Sequence, residues 1–232
     1  MKIDFTLEKI ELTAKDYLKY VKDIIIYLKS YDDNFNELST WDEKNKKEFS
    51  FENDLSNFDL KNLDKVVIIN NNIAYKNPDP SDKKFAKNSK SWAGFNSSFT
   101  YKNSNIILNI FQGSYDNMPC KLELIFNDNN LSENYIVDLI YFISEKINIS
   151  FVNVITTNFF LRVRQKGKKS IGWINYVSNK DFSKYLYENE VKKITDNGVI
   201  FKISDKMPLD TDEELVNRSI QLANELARQS KK

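Results

Sequence analysis

Three runs that follow one another closely, Phe95 to Tyr101, Asn105 to Phe111 and Cys120 to Phe126, alternate apolar and polar residues with a period of two. That period belongs to half-buried strands, because successive side chains leave a strand on opposite faces. Asn103-Ser104 supplies a short turn for the first connection, and Gly113 to Pro119 a longer loop. Near the start, Ile3, Phe5 and Leu7 alternate with Asp4, Thr6 and Glu8 in the same manner. Farther along, Ile149 to Thr156, Phe159 to Arg164, Ile171 to Ser178 and Val199 to Ser204 read as further strands, the last preceded by an Asp196-Asn197-Gly198 turn.

Helical segments interrupt these strands singly. Thr13 opens one with Asp16 three residues on, a near capping box, and Ala14, Tyr17, Leu18, Val21, Ile24, Ile25 and Leu28 keep one face. Ser132 caps another, in which Ile136, Leu139, Ile140, Ile143 and Ile147 share a side. Thr211-Asp212-Glu213-Glu214 reads as a full capping box for the last helix, lined by Leu215, Ile220, Leu222, Ala223, Leu226 and Ala227. A further helix is expected between Leu60 and Asn70, while Tyr31 to about Leu60 is polar and weakly periodic. Two prolines make Asn77 to Ser81 a loop. Strands in succession broken by single helices predict an α+β fold, one domain over residues 1–232, with a mainly antiparallel β-sheet packed with about three to four helices.

Composition then narrows the chemistry. The 232 residues contain no histidine and one cysteine, Cys120. Imidazole is the commonest general base and metal ligand, so its absence excludes Ser–His–Asp and Cys–His arrangements and His-ligated zinc. Cys120 has no intrachain partner and no histidine to activate it, and is expected to be a strand or core thiol. Lys+Arg 34 against Asp+Glu 33 nearly cancel, so no global field draws the chain to nucleic acid or acidic lipid. Five glycines leave little room for backbone phosphate cradles. Residues Met1 to Glu8 carry acids where a signal peptide needs an apolar run, and Ile24 to Leu28 is far too short to span a bilayer. A soluble cytoplasmic protein that binds rather than catalyses, with no cofactor and no metal, is the expectation.

The densest basic segment runs from Arg162 to Lys169, its two arginines placed on one face of the expected strand. It lacks the interleaved aromatics of a single-strand binder and reads as solvated hairpin lysines. Acidic clusters at Asp79 with Asp82 and at Asp210 to Glu214 would suit a magnesium-dependent hydrolase, although their spacing does not demand one, and the second is explained as a helix start. Asp128 to Ser132 brushes against a calcium loop without its glycine or closing glutamate. Trp41 and Trp92 stand in polar, turn-rich surroundings, where a tryptophan is a plug over the core or an interface anchor. The plug is the first reading and the anchor stays open; Trp173, within a strand, is expected in the core.

The strand Ile171-Gly172-Trp173-Ile174-Asn175-Tyr176-Val177-Ser178, followed by Asp196-Asn197-Gly198-Val199-Ile200-Phe201-Lys202-Ile203-Ser204 and a closing helix from Asp212, resembles the immunity protein 52 family of bacterial polymorphic-toxin systems. That family shares a Gly-Trp-x-x-Tyr strand, a Gly-led strand ending in a small hydroxyl residue, and a final helix; the likeness is clearest over residues 170–228. It implies a cytoplasmic antidote in interbacterial competition, often linked to type VI secretion, that binds a cognate nuclease-like toxin and offers no catalytic residues. Gly172, Trp173 and Tyr176 match the motif and are taken as fold-defining. For the toxin contact, carboxylates placed where phosphates would lie, together with an aromatic wedge, point to the segment from Asp32 to Glu43: Asp32, Asp33, Glu37, Trp41, Asp42 and Glu43. The competing expectations are a carboxylate- and metal-dependent hydrolase and a structural or adaptor protein of a secretion system or phage.

Overall fold

The computed structural model describes residues 1–66, 94–113, 119–127 and 131–229, together with the backbone of residues 68–70. The expected loop at Asn77 to Ser81, Trp92, the Asp79–Asp82 pair and the calcium-like stretch from Asp128 to Asn130 lie outside the described residues. The fold is α+β, with every described β-ladder antiparallel. Five α-helices are described, two of them short, against the three to four expected. The chain forms two compact units, Met1–Phe5 with Asp128–Lys232, and Thr6–Asn127.

In the unit Thr6–Asn127, strands run in the order β7 (Lys121–Phe126), β6 (Ile106–Gly113), β5 (Gly94–Tyr101), β2 (Leu38–Asp42) and β3 (Lys47–Ser50), and β4 (Ile68–Asn70) also pairs with β5. The meander β5–β6–β7 is the one expected from its period of two. Helix α1 (Ala14–Tyr31) buries the apolar stripe read from the sequence, residue for residue, and its capping box is complete. Removing that many large apolar side chains from water is worth on the order of 10 kcal/mol. The Tyr17 hydroxyl donates to Ile110 O at 2.8 Å, and its ring stacks on Phe95 at 5.1 Å, which fixes the helix over β5 and β6.

The segment after Tyr31 departs from expectation, because β2 and β3 form a hairpin there. Its period is hidden because Ser39, Thr40 and Asp42 are buried polar residues satisfied by hydrogen bonds. Thr40 Oγ1 donates to Ser98 O at 2.8 Å and Ser39 Oγ to Thr100 O at 3.3 Å. The helix expected from Leu60 to Asn70 is reduced to a 3-10 turn at Leu60–Asn62 and α2 (Leu63–Val66), after which the chain turns into β4.

In the unit Met1–Phe5 with Asp128–Lys232, the order is β10 (Val191–Ile194), β11 (Val199–Lys202), β9 (Ile174–Val177), β8 (Ile149–Ile155) and β1 (Lys2–Leu7), whose last two residues count with the other unit. Strands β9 and β11 are buried on both faces, so they show no alternation. Phe151, Val177, Val199 and Phe201 pack on the side of α5 (Glu213–Gln229) with Val216, Leu222 and Ala223. Helix α3 (Glu133–Ser144) buries Ile136, Leu139, Ile140 and Ile143, and ends before Ile147. Its first residue, Glu133, binds Lys192 at 2.5 Å and Lys202 at 2.8 Å.

Two expectations fail in this unit. Phe159 to Arg164 is a helix, α4 (Thr157–Val163), capped by Thr156, and not a strand. Its apolar run has no period that decides between the two, but the buried Phe159 and Val163 are four apart, the helical spacing. Arg162 and Arg164 therefore do not share a strand face. The last helix begins at Glu213 with Asp212, rather than Thr211, as its cap: Asp212 Oδ1 accepts from Leu215 N at 3.2 Å and Asp212 O from Val216 N at 3.0 Å.

Helix α5 is locked down by Arg218, whose Nε donates to Glu190 Oε1 at 2.8 Å and whose second amino group reaches Glu190 Oε2 at 2.5 Å and Tyr185 O at 3.0 Å. Replacing Arg218 by Met strands a buried carboxylate, so urea unfolding should show a loss of about 3 kcal/mol, partly recovered when Glu190→Gln is added.

Candidate functional site

The segment singled out for partner contact is built in two pieces. Helix α1 stops at Tyr31, and Asp32 then starts a 3-10 turn over Asp33–Phe35 by accepting hydrogen bonds from Asn34 N at 2.9 Å and Asn34 Nδ2 at 3.2 Å. Asp33 accepts from Asn36 Nδ2 at 3.1 Å, and Phe35 is buried edge-on against Tyr101. Glu37 takes a left-handed backbone conformation, φ 54°, as the chain swings into β2, with its side chain in solvent.

The second piece is the hairpin tip. Asp42 is only 2 % exposed, and its carboxylate accepts from Lys44 N at 3.0 Å, Asn45 N at 3.0 Å and Asn45 Nδ2 at 2.8 Å. These bonds, the Asn45 side chain's first, hold its carboxyl below the usual carboxylate range. Lys46, at φ 53°, closes the turn and binds Glu43 at 2.7 Å.

Trp41 is 53 % exposed, so the plug reading is overturned. The cause is register. Trp41 lies opposite Glu48, while Thr40 lies opposite Phe49, and neighbours along a strand point to opposite faces. Phe49 is covered by Lys65, whose Nζ sits 3.8 Å from the ring centroid, and Trp41 is left on the other, open face. Glu48 shares that face and is bound by Lys102 at 3.3 Å. Hydrogen bonding to Ser39 and to Lys102 keeps the Glu48 carboxyl low and ionised.

The six predicted residues thus divide. Asp32 and Asp42 are spent on turn geometry, while Asp33, Glu37, Glu43 and Trp41 reach solvent. Glu48 was missed, although the cross-strand pairing that reveals it follows once the hairpin is recognised.

Gly172, Trp173 and Tyr176 are interior residues. A Cβ on Gly172 would fall 2.3 Å from Val154 O, so only glycine fits where the loop before β9 crosses β8. Asn175, fully buried, clasps the same loop through Gly172 N at 2.8 Å and Gly172 O at 2.9 Å. Trp173 is buried, and its Nε1 donates to Ser204 O at 3.1 Å. Tyr176 lies against Gly198, where a Cβ would come within 2.6 Å of its ring, so the two halves of the motif meet.

Among the described residues, no three of His, Cys, Asp and Glu gather as a metal site would require. Burial pushes the Cys120 thiol up, away from the thiolate form. No described helix is long and apolar enough to cross a membrane. No model of a known protein family matches this chain, and no curated protein matches it.

Because Asp42 titrates lower in the folded hairpin than in the open chain, its stabilisation is complete at neutral pH and is lost as pH falls through the folded value. Trp41 emission followed during acid titration should report this loss. Asp42→Asn should keep the turn and remove the pH step, and Asp42→Ala should lower the melting temperature. Gly172→Ala should cost about 2 kcal/mol or more in urea unfolding, because the clash is with backbone.

Proposed function

We propose that this chain is an immunity protein, which binds a cognate bacterial toxin and neutralises it by covering its active site, without turnover of its own. The observation that carries the reading is Trp41, a large aromatic held half in solvent on a pinned hairpin beside the carboxylates of Glu43 and Glu48. The likeness of residues 170–228 to the immunity protein 52 family supports it independently.

The physics suits a nuclease-like partner. Such a cleft is basic because it holds phosphates, so exposed carboxylates at Asp33, Glu37, Glu43 and Glu48 speed the encounter. Trp41 supplies the buried anchor that slows release. The paired strands fix the backbone that carries the anchor, so no loop has to be ordered when it docks. Asp42, although acidic, belongs to the turn and takes no part.

Co-expression with the toxin encoded beside this chain should restore growth, and the purified pair should form a one-to-one complex. In that complex Trp41→Ala should weaken binding by about 30-fold or more, mainly through faster dissociation. Glu43→Lys with Glu48→Lys should slow association and flatten its salt dependence. Unchanged rate constants in both variants would remove the hairpin as the contact surface.

A further inference from the structure

The connection between β10 and β11 holds a reactive group that nothing in the toxin-binding reading uses. Asn197-Gly198 is the only asparagine–glycine pair in the chain. In such a pair the glycine nitrogen can attack the asparagine side-chain carbonyl, because no Cβ on the second residue stands in its path. A bond forms from Gly198 N to Asn197 Cγ and the bond from Cγ to the side-chain nitrogen breaks. Ammonia leaves, taking the proton that Gly198 N gives up. Water then opens the cyclic imide. Cleavage at Cγ gives aspartate, and cleavage at the main-chain carbonyl gives isoaspartate, whose backbone runs through an extra methylene.

In the closed hairpin that nitrogen is occupied. Gly198 N donates to Thr195 Oγ1 at 2.9 Å, and Thr195 N donates to Gly198 O at 2.8 Å, so the turn is tied at both ends. Thr195 and Gly198 are buried, whereas Asp196 and Asn197 between them are exposed. Gly198 is also hemmed in by β9: an added Cβ would stand 2.3 Å from Val177 O and 2.6 Å from the Tyr176 ring. Attack on Asn197 therefore requires the Gly198 N–H to leave its acceptor and the turn to open. Strand β10 is the kind of element that opens locally. It pairs with β11 alone among the described strands, spans four residues, and carries an irregularity between Val191 and Lys193.

We propose that Asn197 is a guarded site of spontaneous deamidation: its amide persists while the Thr195 hydroxyl holds Gly198 N, and is lost when the hairpin opens. The isoaspartate product does not fit the same turn, because its extra methylene has to be taken up where Gly198 meets β9. Val199 and Phe201, on the strand that follows Gly198, belong to the core beside Val177, so the damage is carried inward. Deamidation thus marks molecules that have opened and hinders their closing again. The proposal stands whether or not the chain binds a toxin.

Peptide mass mapping of the full chain, aged at mildly alkaline pH, tests it, with enzymatic methylation counting isoaspartate. Unfolded in urea, Asn197 should lose its amide faster than the other asparagines. In native buffer the loss at Asn197 should be slower by about 10-fold or more, since it then waits on hairpin opening. Thr195→Val should raise the native rate about 5-fold or more and leave the rate in urea unchanged. Thr195→Ser, which keeps the hydroxyl, should behave as wild type. Hydrogen exchange of the Gly198 amide should quicken in Thr195→Val alongside, since both processes need the same N–H released. Isoaspartate-bearing molecules separated from the aged sample should unfold at lower urea. Equal rates in urea and native buffer overturn the proposal without recourse to any variant. So does a folded Thr195→Val that keeps its amide as long as wild type, or isoaspartate that leaves the urea midpoint unchanged.

Discussion

The position of the Trp41 backbone depends on hydrogen bonds made by the side chains of its neighbours. Thr40 and Ser39 bind carbonyls of β5 through their side chains, and Asp42 gathers the turn through three donors. Ser39 and Thr40 are buried, where an unsatisfied polar atom would cost about 1–3 kcal/mol, so the register is strongly held. A slip by one residue would bury the indole and expose Thr40 and Asp42. Polar residues thus do on this hairpin what apolar alternation does elsewhere, and the aromatic side chain is left half in solvent.

This explains which parts of the fold were legible in the sequence. Helix α1 was, because seven apolar residues at helical spacing and a Thr13–Asp16 box leave one solution. The meander β5–β6–β7 was legible from its period of two. The β2–β3 hairpin was not: its buried residues Ser39, Thr40 and Asp42 are polar, and the burial of Ser39 and Thr40 is licensed by carbonyls more than fifty residues away. Helix α4 was misread as a strand for a different reason, since an apolar run of its length fits either period, and the Arg162 contact with Asp210 and Glu213 is invisible in the chain order. Among the site residues, the acids could be found by composition, but their division into turn-makers and solvent-facing charges needed the hydrogen bonds.

The Gly-Trp-x-x-Tyr motif has a packing account that stands apart from any partner. Gly172 lets a loop touch the Val154 carbonyl, Asn175 seals that loop, and Gly198 receives the ring of Tyr176. Residues used so fully inside are not free to meet another protein. Among the described residues, Trp41 is the largest apolar side chain left exposed on a strand. A chain without histidine lacks the side chain that most often carries proton transfer near neutral pH.

The most direct measurement is backbone hydrogen exchange of the chain alone and in complex with the proposed toxin partner. The account predicts that slowed exchange on binding centres on the Glu43–Lys46 turn and the outer edge of β3, with residues 170–204 unchanged. Protection confined to the Gly172–Tyr176 region, with the hairpin exchanging as in the free protein, would contradict it.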